Sequence, residues 1–122
     1  MATASTTSET TFGQAPEPTI ARIWRGRTVR AQADEYEAYL YEHGIRPLEE
    51  KALAVLQLRE DRMWDTEFIT ISFWESIEAM SRFAGPDPNQ VHHLERDKEY
   101  LLELPEKVQI LSISSSKGLF GG

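Results

Sequence analysis

The sequence predicts an α+β sandwich with the element order βαββαβ. Three observations carry that expectation. Between Phe68 and Gly85 a period-2 apolar pattern changes within a few residues to a period-3.6 one, so a strand hands over directly to a helix. A similar strand–helix unit stands near the other end, from Thr19 to His43, and the apolar run between the two units supplies a strand pair.

The chain opens on a leader, residues 1–18, rich in Thr, Ser and Pro, with Phe12 as its one large apolar side chain. Such a segment cannot bury enough surface to offset its ordering entropy and is expected to be disordered. Thr19 to Gly26 reads as the first strand. The helix that follows, Val29 to His43, turns Ala33, Tyr36 and Leu40 to a core, exposes Asp34, Glu35, Glu37 and Glu42, and is expected to stop at Gly44. Ala52 to Leu58 is apolar on both faces, and a polar turn at Arg59 to Arg62 leads into Met63 to Trp74, which predicts a hairpin.

Within that third strand Ile69, Ile71 and Phe73 alternate with Thr70, Ser72 and Trp74. Ser76 is placed to cap the second helix, Ile77, Met80, Phe83 and Ala84 share one stripe, and Gly85 with Pro86 closes it. Asp87, Pro88 and Gln90 have the spacing of an N-cap, a first-turn proline and a capping-box partner, predicting a short helix that carries Val91 and Leu94. A second short helix is expected around Lys98 to Leu104, and Val108 to Ser114 as the last strand. The domain spans residues 19–114, followed by a tail, residues 115–122, that either frays or docks Leu119 and Phe120 on a neighbour.

This order is the ferredoxin-like plan, in which helices cover one sheet face only. Strands apolar on both sides require the other face to be buried too, and a chain of 122 residues has no spare elements for it. Packing two sheets face to face in a homodimer solves the problem.

Composition narrows the function. A formal charge of −7 argues against a nucleic-acid partner, since phosphate binding needs clustered cations. The absence of cysteine removes disulfides, thiolate metal sites and cysteine nucleophiles. No apolar run approaches a membrane span and the leader is not a secretory signal, so the expectation is a cytoplasmic protein with no membrane contact.

The segments IARIWRG, HGIRPLE and FWESIEAMSRFAG together resemble the antibiotic biosynthesis monooxygenase superfamily, over roughly Ile20 to Ile113. The resemblance implies a dimeric α+β barrel and one of three roles: a cofactor-free monooxygenase acting on a small phenolic or polycyclic aromatic, a heme-binding or heme-degrading protein, or a non-catalytic small-molecule binder. In the quinone-forming members an Asn stands four residues before a Trp on the third strand. Trp74 matches that Trp, and Thr70 stands at the Asn. The Asn, Trp and His of the heme-degrading members fall on Ile23, Phe83 and His93, of which the histidine alone matches.

The oxygenase reading needs an apolar pocket, a base and a donor to the developing enolate. It assigns His93 as catalytic base, Thr70 or an arginine as donor, and Trp74 and Phe83 as walls. Trp74 is alternatively an anchor for the strand-to-helix corner. His92 and His93, adjacent on the expected short helix and pointing apart, are alternatively surface histidines, and His92 with Glu95 is too small a set to hold a metal. Arg22, Arg25, Arg27 and Arg30 either pair with carboxylates or place one cation against a ligand anion. Strand alternation groups Arg22 with Trp24 at the cavity, whereas the heme-family comparison turns Ile23 and Arg25 inward. Tyr100 either meets a ligand oxygen or packs under a short helix. No cofactor is expected, with heme as the alternative.

Overall fold

The computed structural model describes residues 16–118. Most of the expected leader, and Leu119 and Phe120 of the tail, lie outside them. Four antiparallel strands form one sheet in the order β2-β3-β1-β4, with β1 at Ile20–Val29, β2 at Ala54–Asp61, β3 at Asp65–Trp74 and β4 at Gln109–Ser112. This is the ferredoxin-like order. Helix α1 (Ala33–Leu40) continues through a π turn (Tyr41–Ile45) into α2 (Arg46–Glu49); α3 (Ile77–Ala84) and the single turn α4 (Asp97–Tyr100) complete the helical layer.

Register decides which side chains meet the helices. Arg22 lies opposite Ser72, Trp24 opposite Thr70 and Gly26 opposite Phe68, so the even-numbered residues of β1 and β3 share the helical face. Two buried clusters form there. Ala33, Tyr36, Leu40, Ile45, Phe68, Tyr100 and Leu101 make one, and Ile20, Leu48, Trp74, Met80 and Ala84 the other. The odd-numbered face carries Ile23, Ile69 and Ile71 with Leu56 and Leu58 of β2, which pair with Ile71 and Ile69. No helix among the described residues packs on it.

Several sequence expectations are corrected. Strand β1 runs past Gly26 to Val29 because Arg27, Thr28 and Val29 pair with Glu67, Thr66 and Asp65, and α1 starts only after a 3-10 turn, Arg30–Gln32. Gly44 does not stop the helix. Positive φ among the described glycines is confined to Gly85 and Gly118. A Cβ on Gly44 would come within 3.3 Å of both Leu40 and Leu94, so its role is close packing. The wider π turn also accommodates Pro47, which has no N–H to donate.

The hairpin turn sits later than expected. Arg59 and Asp61 belong to β2, and the reversal at 62–64 leaves Met63 and Trp64 at the tip, 78% and 80% exposed. Arg62 closes it through its backbone N–H on the Asp65 carbonyl and a two-point ion pair with the Asp65 carboxylate. The Asp87 signal makes a turn, not a helix: the Asp87 carboxylate accepts from the Asn89 N–H, and Gln90 then bridges to Lys107. His92 and His93 therefore lie in irregular chain. The Ser76 cap and Gly85 closure are as expected, with the Ser76 hydroxyl accepting from Ala79 N at 3.0 Å and Gly85 at φ 96°.

The arginines Arg62 and Arg27 hold the Asp65 carboxyl down at about 2, below the ordinary 3.8. Because the folded value is depressed, the associated stability is complete above about pH 4 and disappears as the pH falls towards 2. Urea unfolding of the wild type across that window is expected to show a declining acid limb that Asp65→Asn flattens; parallel limbs would show that the turn does not govern acid stability.

Candidate functional site

A cavity of about 210 Å³ borders both buried clusters, between the sheet and the helical layer. Its floor is the helical face of β1 and β3, with Arg22, Trp24, Thr70 and Ser72. The end of α1 and the π turn contribute Leu40, His43 and Ile45; α3 contributes Phe83, the chain leading to α4 contributes Val91, His92 and Leu94, and the first residue of α4 contributes Asp97. The walls are mainly apolar with a few polar groups, which is the composition of a small-molecule site.

The polar groups are already partly committed. Ser72 accepts the Trp74 indole N–H at 2.9 Å, so its own hydroxyl proton is left to donate. Thr70 donates to the Gln57 side chain. The Asp97 carboxylate, 2% exposed, accepts the Tyr36 hydroxyl at 2.9 Å and the Leu94 N–H at 2.9 Å. Burial, and then the Asp97 charge, push the Tyr36 hydroxyl far above its ordinary pKa, so it is a permanent donor there.

His92 Nε2 lies 2.6 Å from the Ala84 carbonyl. A carbonyl oxygen only accepts, so Nε2 carries the proton and, in the neutral ring, Nδ1 keeps the lone pair. Arg22 donates through Nε to the Pro88 carbonyl at 3.2 Å and through Nη2 to the Gln90 carbonyl at 3.1 Å.

Of the residues singled out in the sequence, Arg22, Trp24, Thr70 and Phe83 meet at this cavity. Strand alternation, not the heme-family comparison, gives the correct face of β1. Trp74 is elsewhere: it is 2% exposed, packs with Met80 and Ala84, lies 5.6 Å from Phe83 ring to ring, and borders a separate groove with Lys51, Glu75 and Arg82. It is a corner anchor whose indole N–H positions Ser72. The exposed His93 does not line the cavity, because the segment is not helical; the histidines that do are His92 and His43.

Tyr100 is buried with its hydroxyl on Glu35 at 2.6 Å, outside the lining. Arg27 pairs with Asp65 and Glu103, Arg30 with Asp61, and Arg25 is exposed on the uncovered face. Sequence reasoning missed His43 and Asp97, and it gave Ser72 a place in the polar row of the strand but no role. Ser72 was legible, two residues from Thr70 and so on the same strand face. His43 required knowing that the helix continues beyond it.

Among the described residues no group of three or more His, Cys, Asp or Glu is arranged to hold a metal ion. Nor is any described helix long and apolar enough to cross a membrane. No family model matches the chain. No curated protein matches it in sequence. Among solved structures it is similar to a Bacillus cereus protein described as a candidate antibiotic biosynthesis monooxygenase, with a TM-score of 0.59 and 14% identity, covering 84% of this chain and 99% of that one. The likeness establishes a shared fold.

Proposed function

We propose that the chain is an antibiotic biosynthesis monooxygenase-type enzyme that oxygenates a small phenolic aromatic without an organic cofactor. The observation that supports this best is the apolar cavity walled by Trp24 and Phe83, which also holds a histidine with a defined free lone pair and a hydroxyl with a free proton. His92 Nδ1 takes the phenolic proton, and Ser72 donates to the oxyanion that forms. The electron-rich anion then reacts with oxygen. One oxygen atom ends in the quinone carbonyl and the other in water, and the substrate supplies all the electrons.

The volume limits the substrate. A cavity of roughly 150 Å³ accepts benzene, so about 210 Å³ suits one or two rings. A porphyrin, several times larger than benzene, does not fit these walls. His93, the one residue that matches the heme-degrading members, does not line the cavity and so does not reach a ligand held there.

Oxygen uptake with a dihydroxynaphthalene, in the presence of a chelator, is the direct test. Protein-dependent uptake with quinone formation is expected, falling at least tenfold in His92→Ala and unchanged in His93→Ala. Binding without uptake would leave the fold as a small-molecule carrier and remove the catalytic reading.

We propose further that the uncovered sheet face is the interface of a homodimer. Leu56 and Leu58, beside Ile71 and Ile69, and Leu111, beside Ala21, are each about two-fifths exposed on that face. A stable interface of this type buries roughly 1,600 Å² in total. Native mass spectrometry at micromolar concentration should give twice the chain mass, and Leu58→Asp should shift it to the monomer; a monomeric wild type would exclude the dimer.

A further inference from the structure

We infer that the ligand of the cavity carries a carboxylate, and that Arg22 is its counter-ion. The inference rests on reading that cavity as the substrate site, and it adds the substrate's charge. It starts from a comparison among the arginines. Arg27, Arg59 and Arg62, each half-buried, all pair with carboxylates, as do the more exposed Arg30, Arg46 and Arg96. Arg25 and Arg82 are exposed and need no partner. Arg22 is half-buried, lines the cavity, and has no ion pair among the described residues, in a chain with an excess of acidic groups.

The geometry of the guanidinium shows which edge is free. Nε and Nη2 form the lateral edge, and both are spent on backbone carbonyls of Pro88 and Gln90. The end-on edge, Nη1 with the second hydrogen of Nη2, has no acceptor among the described residues. That edge is a planar pair of parallel donors matched to the two oxygens of a carboxylate.

The loop carbonyls also fix the direction of that edge. Their segment is tied down on both sides, by the Gln90 N–H on the Asp87 carbonyl and by the Val108 N–H on the Asn89 carbonyl. Two neutral carbonyls satisfy hydrogen bonds without neutralising the charge. Burial acts on Arg22 unopposed and draws its pKa below the ordinary arginine value. An arriving carboxylate relieves that cost. Asp97, which lines the same cavity, does not neutralise Arg22: its oxygens accept from Tyr36 and Leu94, and it forms no ion pair with Arg22.

Ser72, directly opposite Arg22 in the sheet, adds a hydroxyl donor on the same face. The ligand class is therefore a one- or two-ring aromatic hydroxy acid, its carboxylate on Arg22 and its ring against Trp24 and Phe83.

The experiment compares 4-hydroxybenzoate with its uncharged isostere 4-hydroxybenzamide by isothermal titration calorimetry. The acid is expected to bind wild type at least tenfold more tightly than the amide. Arg22→Gln should abolish that preference, so that the acid binds no more tightly than the amide, and Arg22→Lys, which keeps the charge without the fork, should retain part of it. A thermal melt of each variant separates loss of the loop clamp from loss of the anion site. Equal affinities in wild type, or a preference that survives in Arg22→Gln, would overturn the proposal. Should neither aromatic bind, the aromatic reading of the cavity fails, and the same comparison is made with butyrate and butyramide. A butyrate preference lost in Arg22→Gln then upholds the anion site, and any other result overturns it.

Discussion

Phe68→Ala is expected to destabilise the protein by about 3–5 kcal/mol. Phe68 is fully buried at the centre of β3, its ring meeting Tyr36 edge to face at 5.4 Å with the Arg59 guanidinium 5.6 Å above it. It is the point at which α1 rests on the sheet. Alanine removes the ring and leaves a hole beneath Tyr36 that the helix cannot fill by settling, because the Tyr36 hydroxyl is tied to Asp97. Against a typical total of roughly 5–15 kcal/mol the loss is a large fraction. Urea unfolding at one fixed protein concentration measures it, since self-association would otherwise shift the midpoint. A loss below about 1 kcal/mol would show that the α1 interface repacks freely.

The architecture was legible where a local signal and its tertiary consequence coincide. The Ser76 cap, the Gly85 closure and the alternation from Phe68 to Trp74 each specify a backbone conformation within a few residues, and all three are present. Errors arose where a residue type has two physical uses. Gly44 reads as a helix stop because glycine tolerates positive φ, yet here it is small for Leu40 and Leu94. Asp87–Pro88 reads as a helix start because an aspartate that caps a helix also makes a turn, and the bridge from Gln90 to Lys107 selects the turn.

The site was half legible for the same reason. Strand periodicity grouped Arg22 with Trp24 on β1 and Thr70 with Ser72 on β3, since a period of two is local, but only the register between the strands puts the two groups on one face. It could not separate Trp74, which shares that face but lies one step further, under α3 instead of over the cavity. Choosing between His92 and His93 required the path of an irregular segment, and no periodicity governs that.

Gly26→Ala is expected to close the cavity from its floor. Gly26 lies in the interior of β1, where glycine weakens a strand and so marks a close approach. A Cβ there would stand 2.5 Å from Trp24 Cη2 and 2.8 Å from Cζ2, closer than such atoms can come. The indole lies over Gly26, and a rigid two-ring system cannot flex out of the way; it must rotate as a whole. Leu101, at 3.2 Å, crowds the same position, and the indole that must turn is a wall of the cavity. The expected result is a destabilisation of about 1–3 kcal/mol from overpacking and at least a tenfold loss in affinity for 4-hydroxybenzoate. The two substitutions should be coupled. In a Trp24→Ala background the main obstruction is gone and the flexible end of Leu101 can shift, so Gly26→Ala should become neutral or stabilising by up to about 1 kcal/mol, as alanine normally is against glycine within a strand. If Gly26→Ala costs the same with and without the indole, the double-mutant cycle closes at zero, and Gly26 does not set the position of the Trp24 wall.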